Sequence, residues 1–142
     1  MLKKQLARFN HLMQGIEKFY EEYAKTVGLT YMSLTVVEII YHAEKPCTQK
    51  EICALSHYNK QVVNTIVKNF AEGGYVQFAE VPEDRRNKFV LLTEPGKAYA
   101  DGIMFPLEEM EEKALTVLSE KERTELLDML ERCYDGYKRL TD

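Results

Sequence analysis

Residues 82–96 read PEDRRNKFVLLTEPG, and this stretch decides the fold. Pro82 to Asn87 is polar and turn-forming, while Lys88 to Thr93 after it and Tyr75 to Val81 before it are rich in Val, Phe, Leu and Tyr. Two such runs joined by a turn predict a β-hairpin. The tip is cationic: between Arg85 and Lys97 the only acid is Glu94, against four bases. A hairpin of this form reaches for an anion.

Upstream of the hairpin the pattern is helical. From Leu2 to about Val27 the apolar residues Leu2, Leu6, Phe9, Leu12, Met13, Ile16, Phe19, Tyr20 and Tyr23 recur at steps of three and four, the periodicity of a long amphipathic helix. Gly28 stands where a left-handed residue ends such a helix, and Leu29-Thr30 opens the next, which runs through Tyr41 to a stop at Lys45-Pro46. Thr48 and Glu51 have capping-box spacing for a short third helix, Gln49 to about Ser56. Asn59 is a good N-cap for a fourth, whose apolar face is Val62, Val63, Ile66, Val67 and Phe70 and whose stop is Gly73-Gly74. Downstream, Thr93 caps a helix with Pro95 in its first turn and Pro106 as a point of bending, and Ser119 to Glu122 is a second capping box before a last helix.

The opposite face of the fourth helix is polar. Gln61, Asn64, Thr65 and Lys68 fall on one stripe, with no carboxylate before Glu72. Amides suit adenine, and an ammonium suits guanine or a phosphate. A short helix, a tight link, a polar-striped helix and a hairpin, in that order, form a helix-turn-helix followed by a wing.

The spacing Asp84-x-Arg86, five residues, Leu92-Thr93-x-x-Gly96 resembles the wing of the MarR family of winged helix-turn-helix transcriptional regulators. The resemblance covers almost the whole chain. It implies that Arg86 enters a minor groove while Asp84 holds it in place, with Arg85, Asn87 and Lys88 as phosphate contacts. A narrow minor groove does concentrate negative potential. The expected fold is mainly α with a small β-hairpin wing. Residues 29–96 are expected to form the winged helix-turn-helix, and 1–28 and 97–142 a helical dimerisation region. The DNA-facing set is Asn59, Lys60, Gln61, Asn64, Thr65, Lys68, Asp84, Arg85, Arg86, Asn87 and Lys88. The resemblance also implies a small aromatic effector, for which Tyr20, Tyr23, Tyr31 and His42 are the candidate residues. The expected function is a homodimeric repressor on a pseudo-palindromic operator. The competing reading is a winged-helix module that binds protein, favoured by the acidic C-terminal region.

The net charge of −4 fits a DNA binder once it is divided along the chain. Residues 101–142 carry twelve acids and six bases, a balance of −6, which leaves residues 1–100 with a balance of +2. Ser56 to Phe70 carries Lys60 and Lys68 with no acid, and Arg85 to Lys97 four bases against Glu94 alone; a phosphate backbone would dock at these two segments. At 142 residues, 45% apolar and 30% charged, the chain is expected to be one soluble, cytoplasmic domain without a membrane span or signal peptide. Cys47, Cys53 and Cys133 form no CxxC pair and are expected to be buried, reduced thiols; Cys47, just before a helix start, is the one whose pKa a helix dipole could lower. His11, His42 and His57 are scattered, so no metal or cofactor is expected, and no nucleophile elbow, HExxH, P-loop or GxGxxG suggests an enzyme.

Overall fold

The first helix, α1 (Leu2–Thr26), stops where glycine permits it to stop. Gly28 adopts φ +75°, and the chain turns so that the Leu29 N–H donates to the Ala24 carbonyl at 2.8 Å and the Gly28 N–H to that of Lys25 at 3.1 Å. This is a Schellman closure, which satisfies carbonyls the helix end would otherwise leave open. The computed structural model describes all residues, Met1–Asp142. After the turn, Thr30 caps α2 (Tyr31–His42) by accepting from the Ser33 N–H at 3.1 Å.

A two-residue strand, β1 (Cys47–Thr48), comes next, and Thr48 then caps α3 (Gln49–Ser56) through the Glu51 N–H at 3.1 Å. Of the expected capping box only the Thr48 half is formed. His57, at φ +63°, ends α3 in a left-handed conformation, and α4 (Lys60–Glu72) begins shortly after it, at Lys60. A second Schellman closure ends α4: Gly74 has φ +81°, and the Tyr75 N–H donates to the Phe70 carbonyl at 2.9 Å.

The strands β2 (Val76–Val81) and β3 (Asp84–Leu92) complete a three-stranded antiparallel sheet in the order β1-β3-β2. Where the sequence predicts a turn over Pro82 to Asn87, only Pro82 and Glu83 form it, and β3 starts at Asp84. Glu80 pairs with Lys88 but Val81 pairs with Asp84, so Arg85, Arg86 and Asn87 have no partners on β2 and bulge from the ladder.

A close approach joins the sheet to the next helix, α5 (Glu94–Leu115). Gly96 lies in the first turn of α5, and a Cβ added there would meet the Tyr75 carbonyl oxygen at 1.8 Å. Thr93 fixes the approach on three sides. Its N–H donates to the Tyr75 carbonyl at 3.0 Å, its hydroxyl donates to the Gly74 carbonyl at 2.7 Å, and the same oxygen accepts from the Gly96 N–H at 3.0 Å. The Tyr75 ring stacks on Tyr99 one turn on, with centroids 4.0 Å apart. The Leu-Thr-x-x-Gly spacing of the sequence is thus a strand-to-helix lock.

Val36, Val37, Ile40, Ile52, Val63, Ile66, Val67, Phe70, Val76, Val90 and Ala100 form one apolar core that draws on α2, α3, α4, the sheet and α5. The backbone divides into two compact units, Met1–Met104 and Phe105–Asp142. Helix α5 is unbroken through Pro106, and α6 (Glu120–Lys138) opens with a complete capping box between Ser119 and Glu122. No helix is long and apolar enough to cross a membrane.

The lock sets an expectation for folding stability. Gly96→Ala is expected to cost roughly 1–3 kcal/mol or more, since backbone must move. Thr93→Ala is expected to cost about 1–2 kcal/mol, most of it recovered by Thr93→Ser. Urea denaturation of the variants is the measurement, and a Gly96→Ala protein as stable as the wild type would refute the clash.

Candidate nucleic-acid interface

Helix α4 separates its faces by burial. Val63, Ile66, Val67 and Phe70 are buried, while Gln61, Asn64, Thr65 and Lys68 are exposed on the other side. Asn59 contributes differently. Its side-chain oxygen accepts the Val62 N–H at 2.9 Å as the N-cap, so part of its hydrogen-bonding capacity is spent on starting the helix. Lys60 occupies the first helical position and is exposed.

In the wing, Asp84 acts on backbone. Its carboxylate accepts the Arg86 N–H at 3.0 Å, and the Asn87 side-chain oxygen accepts the Lys88 N–H at 3.2 Å. The first bond satisfies a donor that the bulge removes from the ladder, and the second lies where the ladder resumes at Lys88. Arg85 and Arg86 are exposed, and neither belongs to any of the ion pairs; the same holds for Lys50, Lys60 and Lys68. Lys88 differs, with Glu80 across the ladder at 3.7 Å.

The two elements face each other across a cavity of about 470 Å³. Gln49, Lys50 and Cys53 of α3 line one side, Tyr58, Asn59 and Lys60 the next, and Asp84, Arg86 and Asn87 the wing side. Three cations without ion-pair partners, against one carboxylate committed to backbone, make the hollow electropositive. Tyr58 ties this region to α2, its hydroxyl donating to the Thr35 hydroxyl at 3.3 Å. Sequence reasoning left out Gln49, Lys50 and Tyr58; Lys50 was visible as a base near the turn, but its proximity to Arg86 is a tertiary fact.

The four candidate effector residues are not brought to one place. Tyr20 meets Tyr31 edge-on, with ring centroids 6.0 Å apart. Tyr23 is buried, and its hydroxyl donates to the Ile103 carbonyl. His42 lies eleven residues beyond Tyr31 on α2, about 16 Å of helix rise away, and packs edge-on against Tyr41. Burial pushes the phenols of Tyr23 and Tyr31 above the ordinary range, and for Tyr31 the neighbouring Tyr58, Glu17, Glu38 and Glu21 add to it.

The cysteines meet the expectation of burial only in part. Cys47 is buried, Cys53 half-buried and Cys133 exposed in the single chain. The Cys47 thiol is pushed up to about 11, first by burial and then by the charge and hydrogen bond of Glu51. The helix-dipole argument for a lowered value therefore loses to desolvation and an adjacent carboxylate. No cluster of three or more His, Cys, Asp or Glu side chains could hold a metal ion.

A model of the MarR family matches residues 27–87. The uncharacterised HTH-type transcriptional regulator YdgJ of Bacillus subtilis (strain 168) is 24% identical over 127 residues, covering 89% of this chain and 77% of its own. Among solved structures, NMB1585, a MarR family regulator from Neisseria meningitidis, superposes with a TM-score of 0.84 at 26% identity, over 96% of each chain. Staphylococcus aureus MepR in its DNA-binding conformation superposes with a TM-score of 0.82 at 17% identity, over 94% of this chain and 98% of its own, and that likeness speaks for the fold.

Because Asn59 starts the helix that carries the polar stripe, its cap is testable apart from any ligand. Asn59→Ala is expected to lower stability by about 1 kcal/mol and Asn59→Ser to restore it. Equal urea midpoints for wild type and Asn59→Ala would show that the cap contributes nothing.

Proposed function

Since the chain belongs to the MarR family of winged helix-turn-helix DNA-binding transcriptional regulators, we propose that it is a homodimeric repressor on a pseudo-palindromic operator. Helix α4 lies in the major groove, with Gln61, Asn64, Thr65 and Lys68 toward the bases. Arg86 enters the minor groove, and Arg85, Asn87, Lys88, Lys60 and Asn59 lie along the phosphates. The observation that carries this reading is the electropositive hollow between α3, α4 and the wing, whose Lys50, Lys60 and Arg86 have no acid paired with them. Asp84 serves by holding the backbone that presents Arg86.

Residues 29–96 are the DNA-binding region in this proposal, and 1–28 with 97–142 form the dimerisation region. The apolar surface supports it. Leu6, Leu12, Met13, Ile16 and Phe19 of α1 and Leu127, Met129, Tyr134 and Tyr137 of α6 are all exposed, and α6 has no buried residue. Apolar stripes of this extent call for a cover, and a second copy supplies one with two-fold symmetry. The two α4 helices would then stand about 34 Å apart, one duplex turn. We place release by a small aromatic molecule at the Tyr20–Tyr31 pair, beside a groove of about 350 Å³ lined by Glu21, Lys25, Leu29, Thr30, Tyr31 and Met32. The protein would work in the cytoplasm, where the DNA is.

Operator titrations test the wing. Arg86→Ala is expected to cost roughly 1–3 kcal/mol of binding and Asp84→Ala somewhat less. Asp84→Asn, whose side-chain oxygen can still accept the Arg86 N–H, is expected to retain most of the affinity. Wild-type affinity should fall steeply between about 50 and 200 mM salt, with Lys68→Ala lowering the slope by about one. Unchanged affinity in Arg86→Ala and Asp84→Ala would reject the wing assignment, and salt-independent binding would favour a protein-binding module. The same titration with a panel of aromatic acids tests release: no loss of DNA affinity would remove the effector.

Sedimentation equilibrium tests the assembly. The expected mass is twice the 16.6 kDa of one chain, with Ile16→Glu in α1 or Leu127→Glu in α6 shifting it toward one. A wild-type protein sedimenting as a single chain at micromolar concentration would refute the dimer.

A further inference from the structure

We propose that Thr65 recognises the methyl group of a thymine, so that its apolar branch, and not its hydroxyl, is the specificity element at the centre of α4. The inference rests on the reading that α4 enters the major groove, and it deepens that reading. The Thr65 hydroxyl donates to the Gln61 carbonyl at 3.0 Å, one turn back along its own helix. That donor is therefore unavailable to a base. With the oxygen held against the preceding turn, the branched β-carbon fixes where the γ-methyl points. Thr65 is exposed, so this fixed methyl belongs to the surface that the helix presents.

The neighbours on the stripe are differently disposed. The side-chain heads of Gln61, Asn64 and Lys68 take part in none of the hydrogen bonds or ion pairs of the protein. They can bond to base edges directly. Thr65 sits one turn from Gln61 and one from Lys68, within about 5–6 Å of each, so a base edge between those contacts meets a methyl group. In the major groove the matching apolar feature is the C5-methyl of thymine, and the flanking amides suit the adenines expected in the same A·T-containing stretch.

A duplex selected by the full-length protein from a random-sequence pool supplies the test. Each thymine is replaced in turn by deoxyuridine, which removes only the methyl, and affinity is measured for wild type, Thr65→Ser and Thr65→Val. One thymine in each half-site is expected to matter: losing its methyl weakens wild type and Thr65→Val by about fourfold and leaves Thr65→Ser unaffected. If the deoxyuridine losses are the same in all three proteins, or vanish in Thr65→Val as well as in Thr65→Ser, the proposal is overturned. Gln61→Ala, Asn64→Ala and Lys68→Ala separate the two levels of failure. If they weaken binding while no thymine distinguishes Thr65 from serine, the methyl contact alone is wrong. If all three bind the selected duplex as tightly as wild type, α4 is not in the groove and both readings fall.

Discussion

The approach of the Tyr75 carbonyl to Gly96 is the constraint on which the rest depends. The chain leaves α4 through Gly74, enters the sheet at Val76, returns along β3 and must begin α5 beside the point where it started. Thr93 closes that circuit by bonding to Gly74, Tyr75 and Gly96 at once. A side chain at 96 would force the strand away from the helix. The same two strands, β2 and β3, carry the wing, so the contact lies at the base of the hairpin whose tip brings Arg86 to the hollow lined by Lys50 and Lys60.

Polar groups of α3, α4 and the wing divide into those consumed by the fold and those left over. Asn59, Asp84, Asn87 and the Thr65 hydroxyl each bond to backbone, where they start a helix, hold a bulge or close on the preceding turn. Gln61, Asn64, Lys68, Lys50, Lys60 and Arg86 are not committed in this way. The first group places the second, since a flexible guanidinium on an unsupported bulge would lose more entropy on binding than one presented by an ordered backbone.

The range of each interaction decides how far the sequence could be read. Gly28, Thr48, Asn59, Gly74 and Ser119 were legible because each acts on backbone within a few residues of itself, whereas only one of the bonds of Thr93, from the Gly96 N–H, is local, and those to Gly74 and Tyr75 are not. The polar stripe of α4 was legible for the same reason, periodicity being a property of one helix. The strand β1 was not: two residues carry no period, and Cys47 and Thr48 become a strand only by pairing with Val90 and Phe89, about forty residues on. The wing tip reads as a loop from composition, yet the β3 ladder reaches back to Asp84, since pairing with Val81 is decided across the hairpin. The hollow was invisible because Lys50 and Arg86 come to line it only through packing. Tyr20 and Tyr31 meet across the α1–α2 turn, whereas His42, on the same helix as Tyr31, stays apart because eleven residues of helix are a fixed length.

Charge is divided unevenly along the chain, and the division matters because its reach is short. A uniformly acidic surface would repel a duplex, but an exposed charge is felt only over about a Debye length, ~8–10 Å at physiological salt. Local sign therefore matters more than net sign. The Phe105–Asp142 unit holds eleven of the 23 acids and six of the 19 bases, while the α3–α4–wing surface presents bases whose only carboxylate at the hollow is turned to backbone. A duplex meeting that surface encounters the cations at contact distance, where they outweigh any acid more than a Debye length away. The overall negative charge then keeps copies of the protein from associating indiscriminately, without cancelling the local positive sign of the α3–α4–wing surface.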